Sequence, residues 1–258
     1  MKRLIVNADD LGRSPGIDRG IVRAHERGIV TSTTLMANAP GAQRAATLVR
    51  RTPTLDVGVH LVLTYARPLT DPALIPSLVE PDGSFPRSPS AIVGEGRVDG
   101  EEALVEYRAQ FARAKELLGT DPSHVDTHHW VHDDPALEWA VGELARETGA
   151  VARQHDAAQR ERLRARGVRT PDRFCRAFQH GDNVAVPSLL RILATIASDG
   201  DGTTELMCHP GEEGDSELLA TSSYARERPV ELATLTDPRV RAALEEHGLV
   251  LSSFRDLA

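Results

Sequence analysis

Apolar residues along the chain gather in short runs that alternate with longer stretches at helical spacing. Leu4-Ile5-Val6 has the pattern of a buried parallel strand and ends abruptly at Asn7 and two aspartates. Pro15 then opens a segment with Ile17, Ile21, Val22 and His25 on one helical face, stopped by Gly28. Thr33 to Ala37 reads as a second strand, Gln43 to Arg51 as a helix burying Ala45, Ala46, Leu48 and Val49, and Asp56 to Leu63 as a third strand. A helix after each strand predicts a parallel sheet with helices outside.

The rhythm breaks from Thr64 to Asp99, where Pro68, Pro72, Pro76, Pro81, Pro86 and Pro89 accompany Gly83, Gly94 and Gly96. Such a long insertion at 64–99 is either a lid or binding loop over the strand ends, or a partly disordered surface loop. Beyond it, Glu101 to Leu118 forms an amphipathic helix ended by Gly119, His124-Val125-Asp126 starts a strand, and Asp134 with Pro135 caps a helix running to Gly149. Ala150 to Arg153 fits a fifth strand, and Ala157 to Arg166 is charge-rich with a weak apolar face. Further elements are Phe174 to Phe178 and Glu205 to Cys208, extended, Pro187 to Ser198 and Pro238 to His247, helical, and a last strand at Leu249 to Ser252. Roughly seven or eight strand and helix units fit an α/β fold, an irregular (β/α) barrel, formed by residues 1–258 as a single domain. A doubly wound sheet is the alternative, but Asn7-Ala8-Asp9-Asp10-Leu11-Gly12 lacks the glycine spacing of a dinucleotide turn.

Composition narrows the partners. A net charge of -8 argues against nucleic acid and anionic membranes, which need basic patches. The two cysteines, Cys175 and Cys208, make neither a disulfide framework nor a metal knuckle. Neither a signal-peptide core near Met1 nor a stretch long enough to span a bilayer occurs, so a cytoplasmic protein is expected, for which a homodimer is compatible.

Polar clusters stand where strands stop: Asp9-Asp10, His60, Asp126 to His129, and His209. In a parallel barrel these ends converge on one face. One carboxylate with two histidines leaves coordination positions open, the requirement of a catalytic divalent metal. Adjacent carboxylates repel unless a cation or proton lies between them, so one aspartate can hold the ion while the other accepts a proton from a water polarised by it. The competing reading is a helix cap or Asx-turn. Strand alternation puts Asp126 and His128 on one face and Thr127 and His129 on the other. Trp130 offers a stacking face for a sugar, and His132 is either functional or a plain loop residue. His209 suits a general acid that protonates a leaving amine. His25, His155, His180 and His247 carry no assigned role. Without a GxSxG elbow, a P-loop or a cysteine-nucleophile signature, covalent catalysis is disfavoured.

These residues resemble the YdjC-like carbohydrate deacetylases, the group that includes chitooligosaccharide deacetylase. The resemblance is carried by Val6-Asn7-Ala8-Asp9-Asp10-Leu11-Gly12, Gly28-Ile29-Val30-Thr31-Ser32-Thr33-Thr34, Gly58-Val59-His60-Leu61, His124-Val125-Asp126-Thr127-His128-His129 and Met207-Cys208-His209-Pro210. It implies a barrel of the glycoside hydrolase/deacetylase type, one divalent ion (Zn or Mg), and removal of an N-acetyl group from an amino sugar or oligosaccharide. Residue by residue it implies metal ligands at Asp10, His60 and His128, Asp9 as base and His209 as acid. Trp130 stands where the family commonly has a third histidine, and Leu11 where it has phenylalanine, which bears on the sugar pocket. Arg153 either orients Asp9 and contacts substrate or is an ordinary surface arginine. Two other classes use such a site: a non-haem iron oxygenase with two histidines and one carboxylate, and a sugar-binding barrel without turnover.

Overall fold

The computed structural model describes residues 1–94 and 96–257. Among the described residues, eight parallel strands form one curled sheet: β1 (Lys2–Leu11), β2 (Ser32–Leu35), β3 (Asp56–Leu61), β4 (His124–Thr127), β5 (Val151–Ala152), β6 (Arg173–Cys175), β7 (Gly202–Cys208) and β8 (Leu249–Ser252). Their order is β5-β4-β3-β2-β1-β7-β6. β1 pairs with β7 over Lys2 to Ala8, with β8 over Lys2 to Ile5 and with β2 from Asn7 to Leu11. β5 and β6 do not pair, so among the described residues the barrel stays open between them. The expected irregular (β/α) barrel is therefore present, as a curled half-barrel.

Nine helices follow the strands among the described residues: α1 (Pro15–Arg27), α2 (Ala42–Val49), α3 (Gly100–Leu118), α4 (Pro135–Thr148), α5 (Ala157–Ala165), α6 (Val186–Ser198), α7 (Ser216–Thr221), α8 (Arg228–Leu235) and α9 (Pro238–His247). Their starts are set by local chemistry. Ser14, Asp99, Asp134 and Asp237 each accept a backbone N–H of the first turn, and Gly119, Gly149 and Gly248 end helices in the left-handed region. None of the described helices is long and apolar enough to cross a membrane.

Three expectations change. β1 does not stop at Val6 but runs through both aspartates to Leu11. Along it Leu4, Val6 and Ala8 join the core under the helices, whereas Ile5 packs in a separate inner cluster with Val151 and Phe254, so Asn7 and Asp9 point inward with Ile5. The same alternation places His60, His124 and Asp126 inside. The described residues of the 64–99 segment form no loose surface loop: Ile75, Leu78, Phe85, Ile92 and Val98 are buried, and Glu106 of α3 accepts the N–H groups of Leu69 and Thr70. Finally, α7 and α8 occupy a stretch for which the hydrophobic pattern gave no element; α8 is short and three of its five buried residues are polar or charged, so it lacks a clear apolar stripe.

Candidate active site

Neighbouring strand residues normally point to opposite faces, so Asp9 and Asp10 should diverge. They do not. The pairing of β1 with β2 shifts register between Ala8 and Leu11, and Asp10 adopts φ 72°, a left-handed conformation costly for a non-glycine residue. This kink brings both carboxylates to the same strand-end face.

Asp10 Oδ1 lies 3.3 Å from His60 Nε2 and 3.1 Å from His128 Nδ1, and those two ring nitrogens are 3.2 Å apart. All three residues are buried, and Oδ1 has no hydrogen-bond partner. The other His60 nitrogen, Nδ1, is 2.7 Å from Asp126 Oδ1, and Thr34 donates to Asp126 Oδ2 at 3.1 Å. With Nδ1–H given to Asp126, the His60 Nε2 lone pair faces an unpartnered carboxylate oxygen and a second imidazole. Three acceptors converging in a buried site call for positive charge. Burial opposes charging His60, but Asp126 and Asp10 outweigh it and raise the ring to about 10. A cation meets the same demand, and Asp10, His60 and His128 form a group that could hold a metal ion. A second group, Asp9, His60 and Asp126, is also close enough, yet Arg153 already neutralises both of its aspartates.

Arg153 stands beside Asp9 as its orienting reading expected, but neither the surface reading nor the substrate contact fits. It is fully buried rather than a surface residue, and all three guanidinium nitrogens are engaged by carboxylates, which leaves none for a substrate. Nη1 and Nη2 each donate to Asp9 at 2.7 Å, Nε donates to Glu205 at 2.7 Å, and Nη2 lies 2.9 Å from Asp126. Asn7 adds a bond to Asp9 Oδ1 at 2.9 Å. Burial would raise the Asp9 carboxyl, but the Arg153 charge and bonds overcome it and hold Asp9 well below the usual carboxylate range. Burial lifts Glu205 to about 7.

His209 follows β7 and reaches the same site, with Nε2 4.0 Å from Asp9 Oδ2. Its turn packs tightly on α1: a Cβ on Gly20 would lie 2.6 Å from the Gly211 Cα. Burial lowers His209 to about 4.

His128 points into the site, though not by strand alternation. β4 ends at Thr127, and His129 and Trp130 take φ 59° and 55°. His129 consequently leaves the cluster, stacks on His128 at 3.8 Å and bonds Thr64 at 2.9 Å. Trp130 is half-buried, with the Arg176 guanidinium 4.7 Å above its ring. His132 is buried between Thr127 and the Arg153 carbonyl, a packing role that also steadies β5.

Four further residues carry roles that the sequence reading did not assign. Arg228 of α8 is buried and binds Asp10 Oδ2, leaving Oδ1 as the free oxygen. Burial would raise Asp10, but Arg228 and His128 hold it low. Glu231 and Tyr224 stand behind His209, and Asn7 links His124 to Asp9. The one available signal was Arg228-Pro229 followed by Glu231: proline at a helix start with charged residues three apart.

The same open barrel occurs in the family 4 carbohydrate esterase from Streptomyces lividans, which is 12% identical, with TM-score 0.54, covering 99% of this chain and 95% of that one. This is a likeness of fold. A protein from Enterococcus faecalis V583, described as a candidate cellobiose-phosphate cleavage protein, is 34% identical and superposes with TM-score 0.91 over 100% of this chain and 99% of its own. Among curated relatives, the carbohydrate deacetylase of Geobacillus stearothermophilus is 41% identical over 98% of this chain and 96% of its own, and the chitooligosaccharide deacetylase of Serratia marcescens 38% over 99% of each. The shared fold is an irregular (β/α) barrel, a curled parallel half-barrel with helices outside. The chain belongs to the YdjC-like protein family, whose model matches residues 3–246.

Proposed function

We propose that this protein is a metal-dependent carbohydrate N-deacetylase that removes the acetyl group from an amino sugar or oligosaccharide, working as a single catalytic domain in the cytoplasm. The enzyme class, a hydrolase of an amide C–N bond, follows from relatives matched over nearly their whole length and named carbohydrate deacetylase and chitooligosaccharide deacetylase. The observation that carries the finer reading is the unpartnered Asp10 Oδ1 between His60 and His128, with Asp9 and His209 beside it.

Asp10, His60 and His128 would hold one divalent ion, Zn or Mg, since imidazoles suit the former and carboxylate with water the latter. When bound, the ion supplies Lewis-acid polarisation of the acetamide carbonyl and of the attacking water. Asp126 fixes His60 through Nδ1, and Arg228 limits Asp10 to its Oδ1 oxygen. Asp9 takes the water proton; Arg153 aims both of its oxygens while making it a weak base, so the proton is held briefly. His209 gives a proton to the leaving nitrogen. Trp130 offers a ring edge to the sugar at the mouth.

The test is acetate release from a panel of N-acetylated sugars by protein loaded with Zn or Mg, with and without oxygen. Turnover without oxygen separates hydrolysis from oxygenase chemistry. Full activity in Asp9→Ala and Asp10→Ala would overturn the assignment, and sugar binding without acetate release would leave a binding barrel.

A further inference from the structure

Glu231 of α8 is fully buried, and both of its oxygens face His209 or its neighbours. Oε2 accepts the His209 backbone N–H at 2.5 Å, and Oε1 accepts the Tyr224 hydroxyl. Oε1 also lies 4.0 Å from His209 Nδ1, a buried nitrogen without any hydrogen-bond partner. On the other side of the ring, Nε2 lies 4.0 Å from Asp9. The Tyr224 ring meets the imidazole edge-on, at 5.2 Å and 61°. The imidazole thus stands between two carboxyl groups, one facing the reacting side and one behind it. Burial pushes Glu231 up to about 8 and His209 down to about 4, which favours a neutral pair with the proton on the carboxyl.

We propose that Glu231, held by Tyr224, is the positioning residue for His209, orienting its ring and resupplying its Nδ1 with a proton as Nε2 gives one up. The proposal rests on the deacetylase reading. As the C–N bond breaks, the leaving nitrogen keeps the bonding electrons and takes the proton from His209 Nε2. Glu231 passes its own proton to Nδ1, so the imidazole stays neutral and Glu231 is left ionised. Asp9 meanwhile carries the proton of the attacking water, and its return through His209 to Glu231 restores the starting state. One water and one amide give one acetic acid and one amine.

A group that only supports the backbone of His209 would affect every substrate alike, whereas a partner of the acid matters only where the leaving group needs a proton. The experiment compares an N-acetylated chitooligosaccharide with para-nitrophenyl acetate, whose phenolate leaves unprotonated, in wild type, Glu231→Gln and Tyr224→Phe. For Glu231→Gln we expect kcat on the sugar to fall about 10- to 100-fold with KM within about twofold, while the ester loses less than about threefold. Tyr224→Phe shows the same selectivity at smaller size, and decides the matter should Glu231→Gln fail to fold by circular dichroism. Equal losses on both substrates, or none on the sugar, overturn the pairing. A wild type that releases no acetate from the sugar overturns the deacetylase reading as well, a result legible before any variant is made.

Discussion

Arg153 grips both oxygens of Asp9 at 2.7 Å across 144 residues of sequence, and the same guanidinium holds Glu205 and Asp126. One buried cation therefore balances three carboxylates contributed by separate strands. Its removal would take the arginine charge away from three buried carboxyl groups at once.

Arg153→Met is accordingly expected to destabilise the fold by about 3–5 kcal/mol, since uncompensated buried charge costs more than the pair contributes. Arg153→Lys keeps the charge but not the planar fork, so it should fold better than the methionine variant and still lose turnover. Denaturant titration together with acetate release checks both; a methionine variant as stable as wild type would contradict the charge balance.

Metal binding and proton handling should separate by residue. Asp10→Asn, His60→Ala and His128→Ala are expected to abolish tight binding of Zn measured by calorimetry. Asp126→Asn, which acts through His60, should weaken it about 10- to 100-fold. Asp9→Asn should still bind the ion and lose about 100- to 10,000-fold in kcat. Chelation should lower both activity and melting temperature, because a ligand that binds only the folded chain stabilises it.

Stability should depend on pH through Glu231. Burial lifts its folded value from 4.5 to about 8, so the folded chain holds a proton that the unfolded chain has released between those values. Its contribution is present at low pH and is lost as pH rises through that window. Melting temperatures recorded from pH 5 to 8.5 should decline less steeply in Glu231→Gln, which mimics the neutral acid. An unchanged slope would count against a protonated Glu231.

Gly58 precedes His60 by two residues, and a Cβ there would lie 2.4 Å from the His124 carbonyl oxygen and 2.6 Å from its Nδ1. Gly58→Ala must push β3 from β4, with an expected loss of about 1–3 kcal/mol and weaker metal binding as His60 moves. Differential scanning calorimetry and metal titration would detect the two effects.

Trp130→Ala should raise KM for oligosaccharides while changing kcat little, as expected of a side chain that contacts sugar at the mouth rather than the reacting atoms. Steady-state kinetics decide this; a fall in kcat with unaltered KM would contradict the sugar contact.

Much of the order of elements was legible because β1, β3 and β8 contain short apolar runs and α1, α4 and α9 each open on Ser or Asp followed by proline. Local chemistry of this kind is written within a few residues, and α9 and β8 match their expected limits. The convergence of Asp10, His60 and His128 could likewise be anticipated, since parallel strands bring their ends together. The sequence alone could not direct Asp10 inward, because its left-handed φ depends on the register shift between β1 and β2. Nor could alternation explain His128, as the chain leaves β4 just before it.

What the sequence determined by itself was therefore the alternation of strands and helices and the polar residues at strand ends, both consequences of periodicity and short-range capping. What only the tertiary structure decided was the charge and orientation of those residues. Of the two readings of Arg153, the structure chose the buried partner of Asp9 over the surface residue, and α8 delivered Arg228 and Glu231 to Asp10 and His209 from twenty or more residues beyond β7. Burial and ion pairing act through space, and no spacing along the chain encodes which carboxylate a distant arginine will meet.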